Sequence, residues 1–246
     1  SICIKLPFLI YLFYRSSIIN KLIYIILFFS SFLLIFFLRA RASYISLGFI
    51  VLLFTFYFLF SKKYFSYIIF PIILCLTFLT VNFLTSNEDS NLVSDISSIS
   101  FTAESSNQRF FIWENAFSYI QNNPLIGSGI GNWKIESLPY WKTHLNDYNV
   151  PYHAHNDFLE LSTEIGIIGG LTYVSLFIFS FYFLFKLFLV NRLNFDKSLV
   201  IITIFLSFSV YFIDAFLNFP LERPRMQIIL CLLFTYILLF EKKIIK

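Results

Sequence analysis

Long apolar runs, each close to the length of a membrane crossing, alternate along this chain with short polar punctuation, and the alternation fails once. Counting about 20 apolar residues to a crossing, the pattern predicts helices over residues 2–14, 18–38, 42–60, 65–85, 165–190, 198–219 and 226–240. Between the fourth and fifth of these lies a polar segment, 86–157, too rich in Ser, Asn and charge to be a simple connector. The expected architecture is an all-α polytopic membrane protein, a helical bundle of about seven spans with a large extracytoplasmic loop containing amphipathic helices. Three regions follow: N-terminal membrane spans at 1–85, a loop with motif helices at 86–157, and C-terminal membrane spans at 158–246. The chain starts at Ser1, part way into an apolar run, and reads as the C-terminal part of a longer protein.

Composition agrees with the pattern. Hydrophobic residues make up 58% of the chain and charged residues 13%, about half the charged share of a soluble domain. The net charge of +4 does not point to nucleic acid as a partner, because in a membrane protein the sidedness of charge matters more than its sum. If Lys62 and Lys63 are cytoplasmic, span alternation gives that side ten basic and two acidic residues and the other side eight and twelve. The positive-inside rule therefore places the long loop outside. All three cysteines, Cys3, Cys75 and Cys231, fall in apolar runs, so neither a disulfide framework nor a thiolate metal site is indicated.

The outer basic residues carry more information than the inner ones. Five of the eight are arginines, Arg39, Arg41, Arg109, Arg223 and Arg225, whereas eight of the ten inner ones are lysines. Lysine suffices as a topological anchor, while a guanidinium fork suits phosphate or carboxylate. Arg39 and Arg41 sit between two spans with almost no loop and so lie at membrane level. In the loop, Trp113, Ala116, Phe117 and Ile120 recur at helical spacing and predict an amphipathic helix from about Asn107, with Arg109 in its first turn. A cation there gains nothing from the helix dipole and calls for a pairing partner or an anionic ligand.

Gly127-Ser-Gly-Ile-Gly131 lacks both a preceding strand and a GK[ST] continuation, so it reads as a tight turn returning the chain over the membrane and not as a nucleotide loop. Trp133, Tyr140, Trp141 and Tyr148 resemble an interfacial aromatic belt or a sugar-stacking surface.

The densest polar chemistry lies at 151–170, where His153 and His155 end the loop and Asn156 and Asp157 are suited to the first positions of a helix. His153-x-His155-x-Asp157 has the spacing of metal ligands on a strand, but the segment is predicted to turn helical and the other histidine is His144, so no metal is expected. A Ser-His-Asp triad has no G-x-S-x-G elbow to support it. Glu160 and Glu164, four apart, share one helix face at the membrane edge, which reads as a solvated helix start, a pairing with the arginines or a carboxylate site. What combines well is a histidine that can act as a base near neutral pH, several outer arginines, and a setting at the lipid boundary. Displacing a sugar from a lipid diphosphate needs positive charge at the leaving group and a base for the incoming hydroxyl. A site with both would be a glycosyltransferase of the membrane surface.

Three stretches, Asn107-Gln-Arg-Phe-Phe-Ile-Trp113, Asn123-Pro-Leu-Ile-Gly-Ser-Gly-Ile-Gly-Asn-Trp133 and His153-Ala-His-Asn-Asp-Phe-Leu-Glu-Leu-Ser-Thr-Glu-Ile-Gly-Ile-Ile-Gly169, in that order in an outer loop, resemble the O-antigen ligase and polymerase superfamily. Arg41-Ala-Ser-Tyr is similar to its short motif at a span junction, with Ala40 and Ala42 replacing the usual Ser and Gly. The resemblance implies a multi-pass enzyme of the bacterial inner membrane, active on the periplasmic side without metal, cofactor or nucleotide sugar. It would move glycan from undecaprenyl diphosphate to an acceptor, such as a lipid A core sugar, with inversion; polymerase and protein O-oligosaccharyltransferase activities belong to the same superfamily. By motif match His155 would be the base, and Arg41 and Arg109 would hold the diphosphate. Topology adds Arg39, Arg223 and Arg225 to the substrate-binding set, and His153, Asn156 and Trp113 join it from the motifs. The competing expectation is a transporter or flippase whose outer arginines only bind an anionic headgroup. It calls for charge along mid-span faces, where Asp214 is the one acidic residue deep in a late span.

Overall fold

The structure is a computed structural model, and it describes residues 2–38, 40–61, 68–85, 104–141 and 152–244. Arg39, Lys62, Lys63, His144, Tyr148 and the expected polar stretch at 86–103 lie outside the described residues. The described chain is helical throughout: α1 (Leu6–Arg15), α2 (Ile18–Phe37), α3 (Arg41–Phe60), α4 (Ile69–Leu84), α5 (Glu104–Asn122), α6 (Trp133–Glu136), α7 (Leu138–Trp141), α8 (Asp157–Asn191), α9 (Phe195–Leu217) and α10 (Pro224–Ile244). Short 3₁₀ turns at Cys3–Lys5 and Pro220–Glu222 precede α1 and α10.

The protein is a polytopic helical membrane protein. Among the described residues α2, α3, α8 and α9 are long and apolar enough to cross a bilayer, and α4 and much of α10 are shorter apolar helices. Large side chains such as Ile18, 83% exposed, and Phe60, 84% exposed, point out of these helices. Such surface is costly in water and at home in lipid. Two predicted boundaries change. The apolar run at 2–14 forms only ten residues of helix, α1, too short to cross alone. The span expected at 165–190 is the second part of a 35-residue helix, α8, which breaks at Ile165 and Gly166. At 1.5 Å per residue, residues 167–191 are about 37 Å long and suffice to cross, which leaves 157–164 as a separate arm.

The chain forms two compact units. The first holds Ser1–Ile99, Leu184–Tyr211 and Leu232–Lys246. Its packing is aromatic: Phe28 and Phe13 both meet the Phe70 ring edge-on, at 4.7 and 5.3 Å, and Tyr14 stacks on Phe58 at 4.7 Å. The end of α3 meets the start of α9, where the Tyr57 hydroxyl lies 2.8 Å from Ser198 Oγ. Arg15 pairs there with Asp196 at 3.3 Å, two residues that charge sidedness assigned to the same face of the membrane.

The second unit holds Ser100–Phe183 and Phe212–Cys231, and it contains the loop motifs. Ile112, Ala116, Trp133, Trp141 and Ala154 form its buried centre. Two expectations are corrected here. Trp133 and Trp141, read as a membrane or sugar surface, are 1% and 5% exposed and fill this core. On α5 the buried stripe is Ile112, Ala116 and Ile120, with Phe117 exposed. Because α5 begins at Glu104, Arg109 falls in its second turn and not its first.

Candidate functional site

The site is built on the break in α8. At Gly166 the backbone turns to φ +76°, so the arm 157–164 ends and leaves its last carbonyls without helical partners. The glycine-rich motif supplies them. Ser128 N–H donates to Thr163 O at 2.9 Å and Gly129 N–H to Glu164 O at 2.8 Å, while Ile167 N–H, at the start of the next helix, donates to Pro124 O at 2.8 Å. The approach is close. A Cβ on Gly127, whose φ is +69°, would stand 2.5 Å from Thr163 O, and one on Gly166 would run into the Leu125 carbonyl. The side chain of Glu164 accepts from Trp133 N–H at 3.3 Å. The glycine-rich stretch, a run of turns, therefore clamps a broken helix.

The same arm fixes the histidine loop in front of it. Asn156 Oδ1 accepts from Phe158 and Leu159 N–H at 3.0 and 3.2 Å, the helix cap that its position predicted. Asp157 reaches elsewhere: its Oδ2 accepts from Leu221 N–H at 3.1 Å and pins the Pro220–Glu222 turn. Glu160 is buried, against the expectation of a solvated helix start, because both oxygens have work to do in the loop. Oε1 lies 2.8 Å from His153 Nδ1, and Oε2 accepts from Ala154 N–H at 2.8 Å. From the other side Trp113 Nε1–H donates to Ala154 O at 2.9 Å. Held at both backbone groups, Ala154 forces the next residue into an unusual geometry: His155 has φ +51°, the left-handed region that a histidine adopts at a cost.

Around Phe219 two imidazoles and a guanidinium converge. His153 stacks on its ring at 4.2 Å, His155 meets it edge-on at 5.2 Å, and the guanidinium of Arg223 lies over it at 4.7 Å. Nδ1 of His155 is buried with no hydrogen-bond partner among the described residues. Burial, and then the electrostatic influence of Arg109, His153 and Arg223, push the imidazole pKa down to about 4. His155 is therefore neutral at pH 7, and an anion placed against Arg109 and Arg223 would relieve the repulsion that holds its proton affinity down. Beside the loop an apolar cavity of about 380 Å³ opens between Trp113, Phe117, Asn156, Phe158, Phe212 and Phe216.

Of the residues singled out in the sequence, His153, His155, Asn156, Arg109, Arg223 and Trp113 all lie in the second unit, with Arg109 and Arg223 both acting on His155. Arg225 is exposed in the first turn of α10. Arg41 is the first residue of α3, in the other unit. Among the described residues no three His, Cys, Asp or Glu side chains form a metal-holding group. Phe219 was missed. Its signal was position, an aromatic residue beside Pro220 and ahead of two arginines in the polar break between the last two spans.

Residues 25–174 match the O-antigen ligase family. The match takes in the arginine, glycine and histidine motifs and ends before Arg223 and Arg225. A Rickettsia conorii protein described as a "putative polysaccharide ligase" is 31% identical over 81 residues, 30% of this chain and 19% of that protein, so the shared stretch spans about a fifth of the relative's length. No solved structure matches the chain.

Proposed function

Because the chain belongs to the O-antigen ligase family, we propose that it moves a glycan from undecaprenyl diphosphate to a lipid A core sugar, at the periplasmic face of a bacterial inner membrane. The observation that carries this reading is a neutral, strained, half-buried histidine under the influence of Arg109 and Arg223, in a loop packed against the arm that leads into a membrane helix. In the proposed reaction the acceptor hydroxyl attacks the anomeric carbon from the face opposite the diphosphate. The new C–O bond forms as the bond to the diphosphate oxygen breaks, which inverts the anomeric centre. His155 takes the hydroxyl proton, and undecaprenyl diphosphate leaves with the bonding electrons.

Each residue has a chemical reason for its role. The leaving group gathers negative charge, which Arg109 and Arg41 neutralise, with Arg39, Arg223 and Arg225 as further contacts. As the diphosphate docks, its charge offsets the arginines and lifts the pKa of His155 from about 4 towards the operating pH, where a general base is most effective. His153 and Glu160 hold the loop, Asn156 caps the arm, and Trp113 fixes the backbone before His155. No metal step is needed, since the arginines supply the positive charge.

The test uses purified protein in a bilayer mimetic with undecaprenyl-diphosphate-linked glycan, offered in turn a lipid A core acceptor, a second lipid-linked glycan and a protein acceptor. The expected product is core-linked glycan with inverted anomeric configuration and one undecaprenyl diphosphate released per transfer. Polymer or glycoprotein instead would reassign the acceptor. Movement of the donor across a bilayer with no new glycosidic bond would replace the transferase with a transporter.

A further inference from the structure

Helix α5 presents an open cleft of about 600 Å³ that the reaction described above does not use, lined by Phe110, Trp113, Glu114, Phe117, Ser118 and Gln121. The lining falls into two rows along one helix face. Phe110, Trp113 and Phe117 follow at i, i+3 and i+7, and Glu114, Ser118 and Gln121 at i, i+4 and i+7. Phe110 and Phe117 are 45% and 55% exposed, and Phe110 sets its ring edge-on to Trp113 at 5.8 Å.

A row of rings beside a row of a carboxylate, a hydroxyl and an amide is a poor lipid surface, because each polar group would lose its hydrogen bonds in hydrocarbon. It is also a poor packing face for another apolar helix, for the same reason. It matches a pyranose ring, which has a C–H face that lies on an aromatic ring and a rim of hydroxyls that need donors and acceptors. Glu114 can only accept, Ser118 can do either, and Gln121 offers both an acceptor and two N–H donors.

The position of the cleft strengthens the assignment. Trp113 and Phe117 line both this cleft and the neighbouring cavity, whose other lining side chains are Asn156, Phe158, Leu159, Val174, Phe212 and Phe216. Trp113 is therefore a partition between an apolar hollow and a mixed one. Its indole is held in place by the bond to Ala154 O, one residue from His155, and Arg109 lies one turn before it on α5. A lipid-linked sugar has the same division, with hydrocarbon on one side of its charged linkage and carbohydrate on the other. We infer that the Phe110–Gln121 face of α5 is a carbohydrate-binding surface that seats the glycan of the donor or of the acceptor, with Glu114, Ser118 and Gln121 as its hydrogen-bonding rim. This inference rests on the transferase reading.

The experiment measures binding of three probes to the full-length protein in nanodiscs: undecaprenyl diphosphate alone, undecaprenyl diphosphate bearing one N-acetylhexosamine, and a deacylated lipopolysaccharide core oligosaccharide. Wild type is compared with Glu114→Ala, Gln121→Ala and the double variant, whose side chains are exposed and whose fold is checked by thermal unfolding. Losing one or two hydrogen bonds to a ligand predicts Kd rising about three- to tenfold per variant for a sugar-bearing probe, with sugar-free undecaprenyl diphosphate unchanged. A rise for the sugar-bearing lipid alone assigns the cleft to the donor glycan, and a rise for the core oligosaccharide alone assigns it to the acceptor. An equal rise for sugar-free and sugar-bearing lipid would overturn the inference and leave α5 a lipid-contacting helix. Unchanged affinity for every probe would overturn it as well. If wild type binds no lipid diphosphate, it is the transferase reading that fails, and the oligosaccharide arm still decides the cleft: affinity lost in the variants upholds it, and unaltered or absent binding sinks it.

Discussion

Glu160 offers a sharp test of how the histidine loop is held, because two substitutions that both remove its carboxyl group should behave differently. Its carboxylate meets His153 Nδ1 and Ala154 N–H, each at 2.8 Å, and Ala154 is fully buried. In Glu160→Ala the Ala154 N–H has no replacement partner from water. Two buried hydrogen bonds at about 1.5 kcal/mol each come to about 3 kcal/mol. That is roughly a hundredfold in the population of the ordered loop. Since the loop sets the left-handed geometry of His155, the transfer rate should fall between about tenfold and a hundredfold. In Glu160→Gln the amide oxygen can still accept from Ala154 N–H, and the amide N–H can donate to a neutral His153 Nδ1, so the loss should stay below about fivefold. The assay is single-turnover glycan transfer at saturating donor, with thermal unfolding of each variant to confirm the fold. Equal rates for the two variants, or a wild-type rate in Glu160→Ala, would refute the reasoning.

Three further expectations follow from other parts of the site. Burial, and after it the neighbouring Arg109 and Arg223, depress the pKa of His155 to about 4, so kcat/KM for the free enzyme should fall only as pH drops towards that value; Arg223→Gln removes the smaller of these repulsive charges and should move this acid limb slightly upward, in the direction of the ordinary imidazole value of about 6.5, and a downward shift in the pH–rate profile would contradict the sign. Gly127→Ala drives a Cβ against Thr163 O at a positive φ, a cost of about 2–4 kcal/mol, which should lower the thermal midpoint by about 5–15 °C. Arg41→Ala should raise the Kd for undecaprenyl diphosphate at least about tenfold, the worth of a charge-assisted phosphate contact, as measured by titration in nanodiscs; an unchanged Kd would remove Arg41 from the proposed diphosphate grip.

The spans were legible because lipid leaves the chain little choice: a helix that satisfies its own backbone and is apolar for about 20 residues is written directly in composition. The cap at Asn156 was legible for a similar local reason, since its two partners, Phe158 and Leu159, lie within the next three residues. What could not be read depends on residues far apart in the chain. Gly166 sits at the start of a predicted span, and only Pro124 and Ser128, about forty positions earlier, reveal that a longer helix breaks there. The spacing of Glu160 and Glu164 showed a shared face, but not that His153 and Trp133 N–H would bury them. Trp133 and Trp141 fitted the enrichment of aromatics at membrane interfaces, yet the fold used their bulk to fill a core. Phe219 is one phenylalanine among 35, and before the fold only its place beside Pro220 and ahead of two arginines set it apart.

The most direct measurement is the chemical step in His155→Gln, with donor binding measured on the same preparation. An amide cannot take the proton from the acceptor hydroxyl, so the single-turnover rate should drop about 10²- to 10⁴-fold, while undecaprenyl diphosphate still binds within about threefold of wild type. Transfer at a rate near wild type, with His155 gone, would contradict the assignment of this imidazole as the base.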